Sequence, residues 1–275
     1  MRQSLTNKVV FITGASSGFG ADAARMFAKE HAIVILTARR LERLNALAEE
    51  IRLAGGQSIP VQLDITDQSQ IEAVVKRVLE IQGRIDILVN NAGMGGLNWL
   101  ETLDPSSDID KQLNINLRGT MQLTRAVLPS MLARRQGQII NMCSVAGLIP
   151  APMYTVYAAT KFGMKGFNDA LRREVAVLGV KVSCIYPGPA ATEFGQNSGD
   201  NLLQQNFKLP SWTIMDSEHV ARQIVRLAKH PRRSLVVPWW FGPVVALDTL
   251  FPSLVDWGVK VVFVKKFHQY QAPKN

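Results

Sequence analysis

Residues 8–20 read Lys8-Val-Val-Phe-Ile-Thr-Gly-Ala-Ser-Ser-Gly-Phe-Gly20. Residues 8–13 form the short apolar run expected of a buried strand, and residues 18–31 follow with helical character. Between them, Gly14, Gly18 and Gly20 make a GxxxGxG spacing. Glycine permits a tight turn and lets a pyrophosphate approach backbone N–H groups at a helix N-terminus. A glycine loop alone is a weak signal, and the same residues could make a plain strand–helix turn. Its place directly after the first strand points to a dinucleotide.

Working outward, the alternation continues. Residues 33–37, 58–63, 85–90, 138–142 and 180–186 are further apolar runs. Leu41, Leu44, Leu47, Ala48 and Ile51 recur at helical spacing before Gly55-Gly56, as do Ile71, Val74, Val75, Val78 and Leu79 before Gly83. Short continuous apolar strands alternating with amphipathic helices indicate a parallel sheet covered on both sides. Right-handed crossovers then leave an α/β fold with a single doubly wound, Rossmann-type sheet.

The chain has 275 residues, 47% of them hydrophobic, enough for one substantial core. Cys143 and Cys184 sit in apolar runs, which suits reduced, buried thiols and a reducing, cytoplasmic compartment. The N-terminus has no apolar stretch before the first strand, so no secretory leader is expected. The net charge of +9 raises the question of nucleic acid. However, Arg39-Arg40, Arg134-Arg135, Arg172-Arg173, Arg232-Arg233 and Lys265-Lys266 are scattered rather than gathered in a stripe, and no nucleic-acid partner is expected. The four histidines lack metal-ligand spacing, and no metal is expected.

Tyr157-Ala-Ala-Thr-Lys161 follows Ser144 by 13 residues. Positions i and i+4 share a helix face, so Tyr157 and Lys161 point into one space. A free phenol titrates near pH ~10, and bringing it to neutrality takes about 4 kcal/mol of preferential stabilisation of the phenolate. A neighbouring ammonium and an oxidised nicotinamide together could supply that. Alone, the pair could be an ordinary amphipathic face.

In dinucleotide folds the end of the second strand reads the adenosine ribose, where a carboxylate would bind the 2′-hydroxyl of NAD. Here Leu36-Thr-Ala-Arg-Arg40 carries two arginines and no acid before Glu42. Paired guanidinium hydrogen bonds suit a 2′-phosphate, so NADP(H) is the expected cofactor, with Arg39 as main contact and Arg40 as the lesser. Arg40 could equally be a surface residue at a helix start.

Taken together, these residues resemble the short-chain dehydrogenase/reductase family over about residues 8–237. Its motifs stand in order: the glycine loop, Asp64, Asn90-Asn-Ala-Gly93, Asn116 in Asn-Leu-Arg-Gly119, Ser144, Tyr157 with Lys161, and Pro187-Gly-Pro-Ala-Ala-Thr192. The resemblance implies a role for each. Gly14, Ser16, Ser17, Gly18, Phe19 and Gly20 would hold the dinucleotide, and Asp64 with Ile65 would meet the adenine. Asn91, Ala92 and Gly93 would support the adenosine ribose, while Pro187, Gly188 and Thr192 would line the nicotinamide. Tyr157 would be general acid in carbonyl reduction and base in alcohol oxidation, and Ser144 would orient the substrate oxygen. Lys161 would bind the nicotinamide ribose and lower the Tyr157 pKa. Asn116, preferred over Asn114, would hold a water linking Lys161 to solvent. The family implies a homodimer or homotetramer.

Residues 189–215 correspond to the family's lid over the substrate. Phe194, Leu202, Leu203, Phe207, Leu209, Trp212, Ile214 and Met215 there suggest an apolar substrate, although they could simply pack the lid onto the body. Residues 1–237 would then form the Rossmann domain and 238–275 a hydrophobic extension. That extension includes Trp239-Trp-Phe241, Val244-Val-Ala-Leu-Asp-Thr-Leu-Phe251 and Val259-Lys-Val-Val-Phe-Val264. Pro243, Pro252, Asp248, Asp256 and Lys260 interrupt it, so a spanning helix is not expected. It would cover the pocket or form a subunit interface; peripheral contact with a membrane ranks second.

The sequence thus reads as an NADP(H)-dependent oxidoreductase acting on a ketone or aldehyde, or the matching alcohol, of an apolar steroid, retinoid or lipid-like molecule. A β-ketoacyl thioester reductase and a non-catalytic NADP(H) sensor are the alternatives.

Overall fold

The computed structural model describes residues 3–193 and 213–265. The first strand, β1 (Val9–Thr13), is buried along its whole length. It is followed by α1 (Gly18–Lys29), β2 (Ile33–Ala38), α2 (Leu41–Leu53), β3 (Gln57–Gln62), α3 (Gln68–Gln82) and β4 (Ile87–Asn90). The second half contributes a short α4 (Lys111–Leu113), α5 (Thr120–Ala133), β5 (Gly137–Met142), α6 (Thr155–Glu174) and β6 (Val180–Pro187). Beyond these come α7 (Ser217–Lys229), β7 (Ser234–Val237), α8 (Phe241–Leu250) and α9 (Pro252–Val259).

All seven strands are parallel, in the order β3-β2-β1-β4-β5-β6-β7. The doubly wound sheet expected from the alternation is what the chain forms, with expected strand bounds displaced by at most two residues. Successive side chains of a strand leave on opposite faces. Val10 and Ile12 accordingly join one core with Phe27 of α1, Leu44 of α2 and Ile224 of α7. Val9 and Phe11 join the other, with Val74 of α3, Leu123 of α5 and Leu171 of α6. Alanines at 21, 23, 24 and 28 give α1 a small-residue buried face. Pro60 is tolerated in β3 because that strand is the sheet edge, where a missing N–H costs no ladder bond.

One strand differs from the sequence reading. Residues 234–237, placed within the Rossmann domain but not assigned to a strand by the sequence reading, form β7 and pair with β6 in register Cys184–Ser234 to Pro187–Val237. The polarity of four residues is too short a signal to separate an edge strand from an apolar run.

Strand order reverses between β1 and β4. At such a switch point the loops after the two strands diverge and leave a crevice at their carboxyl ends. The glycine loop and the 90–93 turn both open there.

Candidate active site

The crevice is built by a threonine and an asparagine. The Thr13 hydroxyl accepts from the N–H groups of Asn91 and Ala92, each at 2.9 Å. The Asn91 carboxamide donates back to the carbonyls of Thr13 at 2.8 Å and Gly14 at 3.2 Å. The turn after β4 therefore holds the glycine loop from the side. Gly14 has φ +65°, the left-handed region that favours glycine. A Cβ on Gly20 would lie 2.4 Å from the Gly14 carbonyl oxygen, so only glycine lets the helix start this close to the strand end.

Next along the crevice, Ser144 follows β5 by two residues and caps the single turn of 3₁₀ helix at Val145–Gly147, its hydroxyl accepting from the Ala146 N–H at 3.1 Å. A Cβ on Gly147 would stand 2.8 Å from the Lys161 carbonyl, so this turn lies directly against α6 at Lys161. On α6, Tyr157 (7% exposed) and Lys161 (4%) share the buried face. Lys161 Nζ is 5.5 Å from the Tyr157 ring centroid and donates to the Met142 carbonyl at 3.1 Å. Burial lowers the Lys161 pKa, partly opposed by Cys143 and Cys184. The Tyr154 ring lies 5.8 Å from that of Tyr157 and adds an aromatic wall.

Asn116 sits in a π-helical stretch, Asn114–Gly119, inserted between α4 and α5. Such bulges are frequent at functional sites because they re-aim side chains. Asn116 is buried and Asn114 only partly so. The Asn116 carboxamide accepts from the Met94 N–H and donates to the Met94 carbonyl, both at 2.8 Å, and also donates to Thr160 Oγ1 at 3.2 Å. A Cβ on Gly93 would fall 3.2 Å from Asn116 Oδ1 and 3.7 Å from Lys161 Nζ, so these three residues meet.

At the adenosine end, Asp64 accepts from both the N–H and hydroxyl of Thr66, at 2.9 and 2.8 Å. Ile65 is buried and packs against Gly119. The two arginines after β2 separate. Arg39 is exposed, and its backbone carbonyl accepts from Gln62. Arg40 turns back to the glycine loop, donating to Ser16 Oγ at 3.0 Å and Ser17 Oγ at 3.1 Å. On the segment after β6, Thr192 lies beside Gly18 of that same glycine loop. Ser144 faces the Pro187 carbonyl at 3.5 Å, and the Phe241 ring packs on Gly188.

A family model described as short chain dehydrogenase matches residues 8–203. The chain belongs to the short-chain dehydrogenase family. Among curated relatives, it is 38% identical over 185 residues to the ketoacyl reductase HetN of Nostoc sp., covering 67% of this chain and 64% of that one. It is 40% identical over 200 residues to the human dehydrogenase/reductase SDR family member 7, covering 70% and 58%. The chain thus matches less than two thirds of either protein. Against the 3-oxoacyl-[acyl-carrier-protein] reductase FabG of Thermotoga maritima it is 35% identical, covering 82% of this chain and 91% of that one. A metagenomic short-chain oxidoreductase solved with NADP superposes with a TM-score of 0.73 at 32% identity, covering 86% and 98%. A Burkholderia phymatum member solved with NAD gives 0.84 at 24% identity, covering 92% and 96%, a likeness of fold.

The crevice also brings in residues that the sequence reading did not single out. Thr13, Met94 and Thr160 hold the motif residues in place through contacts across the fold. Arg43 and Glu193 join the Arg40 cluster, with Glu193 Oε1 2.7 Å from Arg43 Nη1 and Oε2 3.3 Å from Arg40 Nη1. No local pattern signals a pairing between residues 150 positions apart in the chain. Phe194, Leu202, Leu203, Phe207, Leu209 and Trp212 lie outside the described residues. Ile214 is exposed, and Met215 packs partly on the core.

The tail forms α8, α9 and a π-helical turn at Lys260–Val264, none with a buried residue. It touches the body through Phe241 on Gly188 and through Phe263, 6.4 Å from Trp99. Trp239 (78% exposed), Leu250, Trp257 (64%) and Val262 face outward. Among the described residues, no helix is long and apolar enough to cross a membrane.

Proposed function

We propose that this oxidoreductase uses NADP(H) to interconvert a ketone or aldehyde and the corresponding alcohol on an apolar substrate. The observation that carries the reading is the shared, buried face of α6, where the Lys161 ammonium lies 5.5 Å from the Tyr157 ring beside the Ser144 turn.

The residues present suit a dinucleotide. Glycines at 14 and 20 keep side chains out of the crevice mouth, and Arg40 with the Ser16 and Ser17 hydroxyls offers a donor set matched to a phosphate. Arg40, rather than Arg39, is our candidate for the main 2′-phosphate contact. NADPH, when bound, supplies the hydride to the carbonyl carbon. The chain does the rest. Tyr157 donates its phenolic proton to the carbonyl oxygen, giving the alcohol, and is reprotonated from solvent. Ser144 donates a hydrogen bond to the same oxygen as negative charge builds there. The nearby Lys161 cation favours the phenolate left behind. Asn116 holds the 93–94 turn against Lys161, a positioning role; a water between Asn116 and Lys161 remains part of the proposal.

Tyr154 beside Tyr157, and Phe241 on Gly188, supply aromatic surface next to the motif residues, which supports an apolar substrate. Acyl-thioester β-keto reduction is the second reading, supported by the names of the Nostoc and Thermotoga relatives. For the tail we propose a two-sided role. Phe241 and Phe263 cover the edge of the pocket, and the outward Trp, Leu and Val side chains take peripheral contact with a membrane or the face of a homo-oligomer.

The test is NADPH oxidation against steroid, retinoid, aryl and β-ketoacyl carbonyls, with wild type beside Tyr157→Phe. Turnover on one class that falls by about 10³-fold or more in the variant, with dinucleotide binding retained, supports the reading. Equal turnover in both overturns the role of Tyr157. Deleting residues 238–275 and measuring vesicle flotation and subunit number separates membrane from oligomer contact.

A further inference from the structure

The Arg40 cluster already holds an anion, and that anion is a side chain. Glu193 follows Thr192 in the segment after β6, 150 residues or more from its partners along the chain. Its carboxylate takes two contacts from Arg43 Nη1, at 2.7 and 3.0 Å, and two from Arg40, both at 3.3 Å. Arg40 in turn reaches Ser16 and Ser17 with the same guanidinium. Two guanidiniums on one carboxylate, with the Ser16 and Ser17 hydroxyls gathered on Arg40, form a donor set that a phosphate monoester would take. The Arg43 hydrogen bonds, and next those from Arg40, hold the Glu193 carboxyl below its ordinary carboxylate range, so it is an anion at neutral pH.

A resident carboxylate and an incoming phosphate dianion cannot both hold these guanidiniums at close range without mutual repulsion. A dinucleotide that lacks the phosphate makes no such demand. We infer that Glu193 is a specificity-determining residue that competes with the 2′-phosphate for Arg40 and Arg43, with Arg43 a second 2′-phosphate contact beside Arg40. This inference rests on the NADP(H) reading given above. In it, Glu193 keeps the two arginines aimed at the glycine loop and is exchanged for the phosphate when the 2′-phosphorylated dinucleotide binds. The affinity for that dinucleotide is then set below what the arginines alone would give, and the affinity for NAD is left untouched. All three side chains are partly exposed, so the effect is that of solvent-screened ion pairs and should weaken with salt.

The experiment is calorimetric binding of 2′,5′-ADP and of 5′-AMP, which lacks the 2′-phosphate, at low and at physiological salt. Wild type, Glu193→Gln and Arg43→Ala are compared, and each melting temperature is recorded to establish folding. Wild type should prefer 2′,5′-ADP. Glu193→Gln should tighten 2′,5′-ADP by about 5-fold at low salt and leave 5′-AMP unchanged. Arg43→Ala should weaken 2′,5′-ADP by about 5-fold or more, again without effect on 5′-AMP. If wild type prefers 2′,5′-ADP but Glu193→Gln binds it no better, competition by Glu193 is wrong while the NADP(H) reading stands. If wild type binds both ligands alike, the NADP(H) reading itself fails.

Discussion

Asn116 and Met94 exchange two hydrogen bonds, the side-chain amide of one closing on the N–H and C=O of the other at 2.8 Å each. Through this pair, a π-helical turn in the middle of the chain fixes the loop that follows β4. Replacing Asn116 by Leu leaves two backbone groups of Met94 and the Thr160 hydroxyl without that partner. Unfolding free energy should fall by about 2 kcal/mol. Turnover should fall more than melting temperature alone explains, since the 93–94 turn borders Lys161. Urea titration with kcat measured in the folded range checks both. Unchanged kcat would confine Asn116 to stability.

Lys161 carries a pH signature. Burial lowers its pKa, so the folded chain holds this proton less tightly than the unfolded chain does. The penalty is largest below the folded pKa and fades as pH rises toward the unfolded value of about 10.4. Lys161→Met removes the titrating group. Its melting temperature relative to wild type should therefore be highest near neutral pH and decline as pH rises to about 10. A difference that stays flat or rises with pH would contradict a buried, strained ammonium. Activity should be lost at all pH values.

Asp86 lies away from the crevice and is a stability element. Its carboxylate, with a side chain 4% exposed, accepts from the Val9 N–H at 2.9 Å, Arg84 at 3.0 Å and Arg134 at 3.2 Å. It thereby ties the starts of β1 and β4 to the end of α5. Asp86→Ala should cost about 2–3 kcal/mol, at the low end for a broken buried pair because both arginines can turn to water. The kcat of the folded fraction should not change, and chemical denaturation beside an activity assay reads both quantities.

Gly20 has no room for a methyl group. An added Cβ would meet the Gly14 carbonyl at 2.4 Å and the Asn91 amide at 2.6 Å. Gly20→Ala must push the glycine loop off the start of α1, and dinucleotide affinity should drop by about 10-fold or more with a lower melting temperature. Fluorescence titration with the dinucleotide tests this; wild-type affinity would show that the loop yields at no cost.

The alternation of apolar runs with helical stripes was legible because a strand covered on both faces must be apolar throughout, and its flanking helices must be amphipathic. Six of the seven strands could be read that way. β7 could not, since only its pairing with β6 distinguishes it from the apolar tail. Tyr157 and Lys161 could be paired from their spacing, while Ser144 and Asn116 could be named only through the resemblance to the family. Their partners could not: Thr13 for Asn91, Met94 for Asn116 and Met142 for Lys161 are joined across elements.

By itself, the sequence determined the doubly wound parallel sheet, the glycine turn and the pairing of Tyr157 with Lys161 on one helix face. Each follows from local periodicity, which depends only on backbone geometry. Tertiary structure alone decided that Arg40 turns inward while Arg39 faces solvent, that Glu193 meets Arg40 and Arg43, and that the tail rests on Gly188 and Trp99 with its apolar side outward. Those relationships join residues far apart in the chain, and their geometry is set by how helices pack on the sheet, a constraint no local pattern contains.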